Sequence, residues 1–138
     1  MKFFYSFFIF FFCFYLSHGQ STFNYEKPLD IPLFLSGNFG ELRTDHFHTG
    51  IDIRTQGVTG KKVYSIDDGY ISRIRIQTGG FGKSLYIDHS DGLTSVYAHL
   101  DEFNHEIAEY IKNLQYSKKT HTIELFPGKY KFSVKKGE

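Results

Sequence analysis

Residues 69–100, GYISRIRIQTGGFGKSLYIDHSDGLTSVYAHL, decide the fold. Ile74 and Ile76 alternate with Arg73, Arg75 and Gln77, Leu85 and Ile87 repeat the period, and Thr94, Val96 and Ala98 oppose Leu93, Ser95, Tyr97 and His99. A period of two sends successive side chains to opposite faces of a strand. The alternation is punctuated by Asp67-Asp68-Gly69, Gly79-Gly80-Phe81-Gly82 and Ser90-Asp91-Gly92. Gly and Asp accept the backbone angles of a tight reversal, so the stretch predicts successive antiparallel hairpins and a mainly β fold.

Downstream the period changes. Leu100, Phe103, Ile107, Tyr110, Ile111 and Leu114 follow helical spacing, with Asn104 or Asp101 able to cap the start and Lys112, Lys118 and Lys119 toward the end. One inserted amphipathic helix is expected. His121, Ile123 and Leu125, a Pro127-Gly128 turn, and Tyr130, Phe132 and Val134 then predict another hairpin. Upstream, Pro28 and Pro32 favour an extended edge element.

At the other end, 8 of the 16 Phe fall between Phe3 and Phe14. A positive start, a short apolar run to Leu16 and the small residues Ser17 and Gly19 have the form of a secretory signal peptide, residues 1–19, too short for the roughly 20 residues of a spanning helix. Residues 20–30 read as a flexible segment and 31–138 as the folded domain. Export to a periplasm or the exterior is the expectation, with no stable membrane span once the signal is removed.

Without residues 1–19 the chain carries 15 basic and 15 acidic groups, which leaves no electrostatic footprint for nucleic acid. The single Cys, Cys13, leaves with the signal, so disulfides and thiolate chemistry are excluded. Any metal would be held by His, Asp or Glu.

Three histidines occupy informative places. His48 and Asp52, in His46-Phe47-His48-Thr49-Gly50-Ile51-Asp52, could share one Zn²⁺ as nitrogen and oxygen donors. Four residues of straight strand span about 13 Å, so the chain would have to bend, and Gly50 permits it. A surface turn with an ordinary His–Asp hydrogen bond explains the spacing too. His46 lies on the His48 side if the stretch is extended, as a ligand, a supporting partner or a solvated group. His99, at the end of the alternating run and facing the way of Tyr97, could border a groove as an acid or base or be structural. Gly82-Lys83-Ser84 imitates the end of a phosphate loop, but Gln77 stands where that motif needs Gly, and no Ser sits in a hydrolase elbow.

Together, Gly37-Asn38-Phe39-Gly40-Glu41-Leu42-Arg43, His48-Thr49-Gly50-Ile51-Asp52, Asp68-Gly69-Tyr70, Tyr86-Ile87-Asp88-His89 and Tyr97-Ala98-His99-Leu100 resemble the M23 family, the LytM or lysostaphin type zinc metallopeptidases. The likeness is dense over about residues 30–100 and ends with Val134-Lys135-Lys136-Gly137-Glu138. It implies an antiparallel, sandwich-like β fold with a groove, of the duplicated hybrid type, in which Zn²⁺ activates water to cleave peptidoglycan stem or cross-bridge peptides. By resemblance His48 and Asp52 are zinc ligands and His99 is a catalytic His that stabilises the tetrahedral intermediate. The family's H-x-H motif, which supplies the third ligand, follows the V-K-K-G stretch, so a C-terminally incomplete domain with weak zinc binding is expected. The alternative is a non-catalytic relative that binds cell-wall material or regulates another hydrolase.

Overall fold

The computed structural model describes residues 24–138, so the signal peptide expected at 1–19 lies outside the described residues. In chain order the elements are β1 (Leu35–Gly37), β2 (Asp52–Ile53), β3 (Gly69–Ile76), β4 (Lys83–His89), β5 (Thr94–Tyr97), α1 (His105–Lys118), β6 (Ile123–Leu125) and β7 (Ser133–Val134). β1 and β2 form a two-stranded antiparallel sheet, and a five-stranded antiparallel sheet runs β5-β4-β3-β6 with β7 also on β3. Among the described residues the fold is mainly β with one helix, as the alternation and the family resemblance imply. None of the helices among the described residues is long and apolar enough to cross a membrane.

The alternation forms the sheet, with one irregularity. Ile71 pairs with Ile87 and Ile74 with Leu85, with a register shift between Ile71 and Arg73. An extra residue in one strand of a pair resets which face its neighbours occupy. Ile71 and Ile74, three positions apart, are therefore both buried, at 1% and 0% exposure.

Ile71, Ile74 and Ile87 pack with Ile123, Leu125 and Phe132 and with Ile107 and Ile111 of α1 in one core. Each such side chain contributes about 1.5–3 kcal/mol when fully buried. Asn104 caps α1, its side-chain oxygen accepting from the Ile107 N–H at 2.9 Å. Lys119, in the left-handed conformation at φ 50°, closes the other end by donating its N–H to carbonyls of the last turn.

The hairpin expected between His121 and Val134 takes a different form. β6 pairs with β3 through Ile76↔Ile123 and Ile74↔Leu125, and β7 pairs with β3 through Gly69↔Val134 and Tyr70↔Ser133. Instead of pairing with each other, the two short strands lie in succession along the same edge of β3. The turn residues fix a change of direction but not which strand receives each segment. His121 is exposed.

Candidate metal centre

Residues 40–48 fold into a small two-armed loop. Gly40 N–H donates to His48 O at 2.7 Å, His48 N–H to Glu41 O at 2.8 Å and Arg43 N–H to His46 O at 2.8 Å. Leu42 bridges to Phe47 in antiparallel sense. The loop puts Arg43 and His48 beside each other, and β1–β2 pairing brings Asp52 to them by setting it opposite Gly37.

His48 Nε2 lies 3.2 Å from Asp52 Oδ1. The other ring nitrogen, Nδ1, is 2.9 Å from the carbonyl oxygen of Asn38. A carbonyl can only accept, so that contact places a proton on Nδ1 and leaves the Nε2 lone pair for a cation in the neutral ring. Two donors about 2.0–2.1 Å from one tetrahedral ion are themselves about 3.3 Å apart, so spacing and donor types suit Zn²⁺. The bend expected at Gly50 is present. A Cβ there would lie 4.0 Å from His48 Nε2, an ordinary contact.

Asp52 is divided between two neighbours. Arg43 Nη2 donates to Oδ2 at 2.6 Å, leaving Oδ1 to face His48. The same Nη2 reaches Glu41 Oε2 at 3.3 Å and stands 3.4 Å from His48 Nδ1. Glu41 Oε2 also accepts the Asn38 N–H at 3.2 Å, which ties the carbonyl that orients His48 to the same cluster. Gly37 makes room: a Cβ at this buried position would fall 2.4 Å from both Arg43 Nη2 and Asp52 Oδ2. Sequence reasoning gave Arg43 no role; its signal was a lone cation in a stretch holding Glu41, Asp45 and Asp52.

The other predicted groups have partners of their own. His46 turns to Asp45, with Nδ1 2.6 Å from Oδ1, and this hydrogen bond holds the exposed Asp45 carboxyl below the usual carboxylate range. β5 stops at Tyr97, and His99 takes φ 55°, so the strand alternation no longer sets its direction. The His99 N–H donates to Phe81 O at 3.0 Å, and the imidazole meets the Phe81 ring edge-on with centroids 6.5 Å apart. Among the described residues no group of three or more His, Cys, Asp or Glu is placed to hold a metal.

His89 is spoken for structurally. Buried at the end of β4, it links Asp68 O, 2.9 Å from Nδ1, to Ser95 Oγ, 2.8 Å from Nε2. On the opposite face of the sheet, Asp88 collects the hydroxyls of Ser72 and Thr94 at 2.8 Å each and Tyr70 at 3.2 Å. Burial raises its pKa, but these donors outweigh burial and hold it below the ordinary value.

An antiparallel β domain carrying a His–Asp pair with an oriented imidazole belongs to the class of proteins that can present two protein donors to a metal. The family model described as Peptidase family M23 matches residues 46–116, which include His48, Asp52 and His99, and the chain belongs to that family. Comparison with curated proteins and with solved structures gives no match.

Proposed function

We propose that this chain belongs to a zinc-dependent endopeptidase that acts, after export, on peptides of bacterial cell-wall peptidoglycan, with two of its metal donors, and so an incomplete site, among the described residues. The observation that carries the reading is the His48–Asp52 pair at 3.2 Å, inside the stretch matched by the peptidase family. His48 Nε2 and Asp52 Oδ1 would hold the ion, with a third donor from outside the described residues, since a catalytic zinc takes three protein ligands. When bound, zinc supplies Lewis-acid polarisation of the scissile carbonyl and lowers the pKa of water.

The chain's own groups supply the rest. Asn38 O keeps the Nδ1 proton of His48 in place, and Arg43 holds the Asp52 carboxylate by its far oxygen. His99, exposed just beyond β5, is assigned to stabilise charge that develops on the carbonyl oxygen by donating a hydrogen bond from its ring.

A second reading, a non-catalytic cell-wall binder, is favoured by the presence of two donors rather than three among the described residues. Incubation with purified peptidoglycan, with and without chelator, separates the two. Zinc-requiring release of new amino termini, lost in His48→Ala and Asp52→Ala, supports the endopeptidase. Retention on peptidoglycan that is indifferent to chelator and unchanged in His48→Ala and Asp52→Ala supports the binder and overturns the first reading.

A further inference from the structure

β5 ends at Tyr97, which pairs with Leu85, yet the chain beyond it stays bonded to the β3–β4 connection. His99 N–H donates to Phe81 O and Leu100 N–H to Lys83 O, both at 3.0 Å. Lys83 Nζ adds a third tie by donating to Asp101 O. In an extended strand, consecutive N–H groups point to opposite sides. His99 and Leu100 both reach the same neighbour because His99 stands in the left-handed region, at φ 55°.

That region is unfavourable for a residue with a Cβ, and glycine is its usual occupant. A histidine persists there only where its surroundings hold it. Residues 77–82 provide the hold. Gln77 N–H donates to Gly82 O and Gly82 N–H to Gly79 O, each at 3.2 Å, and Gly80 and Gly82 take positive φ, 56° and 58°, on either side of Phe81. The carbonyl of Phe81 receives the His99 N–H, and its ring meets the imidazole edge-on, 80° between planes and 6.5 Å between centroids. Edge-on aromatic pairs attract at that separation. Among the described residues neither ring nitrogen of the exposed His99 has a hydrogen-bond partner, which leaves both for a ligand.

We propose that Phe81 is a positioning residue for His99: its carbonyl fixes the left-handed backbone, and its ring fixes the direction of the imidazole. The β3–β4 turn, and not the alternation of β5, then decides where His99 points. A contribution to catalysis rests on the reading above, which assigns His99 to the charge developing on the scissile carbonyl; the positioning itself does not. Holding the ring by its edge, and not by a hydrogen bond, fixes its direction without engaging either nitrogen.

The test reads the imidazole directly, by NMR on isotope-labelled chain without added metal. In the unaltered chain His99 should show the strong intraresidue HN–Hα Overhauser effect of a positive φ, ring-to-ring effects with Phe81, and the Hα–Hβ couplings of a single rotamer. Phe81→Leu keeps the carbonyl and an apolar side chain but removes the aromatic ring. Its His99 couplings should average over rotamers while the left-handed backbone signature stays, and Phe81→Tyr should restore the single rotamer. Gly82→Ala puts a Cβ in the left-handed region and should speed exchange of the His99 amide at least about tenfold. Should that variant fail to fold, the two Phe81 variants decide alone.

An unchanged single rotamer in folded Phe81→Leu would overturn the proposal, as would averaging already present in the unaltered chain or persisting in Phe81→Tyr. Zinc-dependent hydrolysis of peptidoglycan supplies a readout that packing alone would not move. There Phe81→Leu should lower kcat at least about tenfold and leave the apparent KM nearly unchanged, because the carbonyl charge exists only in the transition state. Averaging of His99 in Phe81→Leu, with no hydrolysis by the unaltered chain, would remove the endopeptidase reading and leave the positioning standing. Hydrolysis that is lost in His99→Ala but unchanged in a Phe81→Leu whose imidazole averages would do the reverse.

Discussion

Arg43 Nη2 holds Asp52 Oδ2 at 2.6 Å, so the carboxylate presents its other oxygen to His48. A single guanidinium thus decides which face of Asp52 is free. Groups of this kind behind a metal ligand typically carry ten- to a hundredfold in metal affinity. Arg43→Ala is expected to weaken binding of Zn²⁺ to the chain by at least about tenfold, read by competition with a chromophoric chelator. Arg43→Lys should restore only part of the loss, because a flexible ammonium lacks the fixed planar geometry that aims the one nitrogen, Nη2, at both Asp52 and Glu41. Unchanged affinity in Arg43→Ala would show that Asp52 orients itself.

Gly37→Ala tests the close approach beneath that cluster. A methyl group 2.4 Å from both Arg43 Nη2 and Asp52 Oδ2 must displace both side-chain ends. Overpacking of this kind costs about 1–3 kcal/mol. The expected result is a lower unfolding midpoint together with loss of Zn²⁺ binding comparable to Asp52→Ala. Wild-type affinity in a folded Gly37→Ala variant would contradict the arrangement.

Asp88 provides a pH dependence with a definite sign. Its folded-state pKa lies below the ordinary carboxylate value despite burial, because Thr94, Ser72 and Tyr70 donate to it. A depressed folded pKa means that its stabilisation is present above the unfolded pKa, about 3.9, and is lost as pH falls through the folded value. Thermal midpoints of wild type and Asp88→Asn, compared from pH 7 down to pH 3, should differ most near neutrality and converge in acid. A gap that widens in acid would contradict the assignment.

Asn104→Ala removes the cap of α1. Losing such a cap costs about 1 kcal/mol, or about 4 °C in the melting midpoint of a domain this size. Scanning calorimetry should find that loss, and Asn104→Asp should recover most of it. Zn²⁺ affinity should not move, because α1 packs on the five-stranded sheet and not on residues 37–52.

Much of this structure is legible in the residues, and the failures share a cause. The alternation in 69–97 and the cap at Asn104 depend on neighbours in sequence, so both could be read locally. The His48–Asp52 approach was readable because Gly50 sits between the two. What escaped depends on partners far away. The bulge after Ile71 shows itself only against β4, and the destinations of β6 and β7 depend on which edge of β3 is open. The role of Arg43 depends on β1–β2 pairing that carries Asp52 to it from nine positions away.

The arrangement of β6 and β7 on β3 also has a kinetic side. The β3–β4 hairpin can zip up from its own turn, whereas Arg73 and Glu124, which join β3 to β6, are 51 positions apart. Closing a long loop costs chain entropy before its contacts return any stabilisation, so the last segment should join the sheet after the folding barrier has been crossed. In stopped-flow measurements Leu125→Ala should accelerate unfolding and leave the folding rate nearly unchanged, and equal slowing of folding would place β6 in the nucleus instead. Until that late step is complete, one side of β3 is an unsheltered template, and the newly made chain is most prone to pairing with another copy of itself.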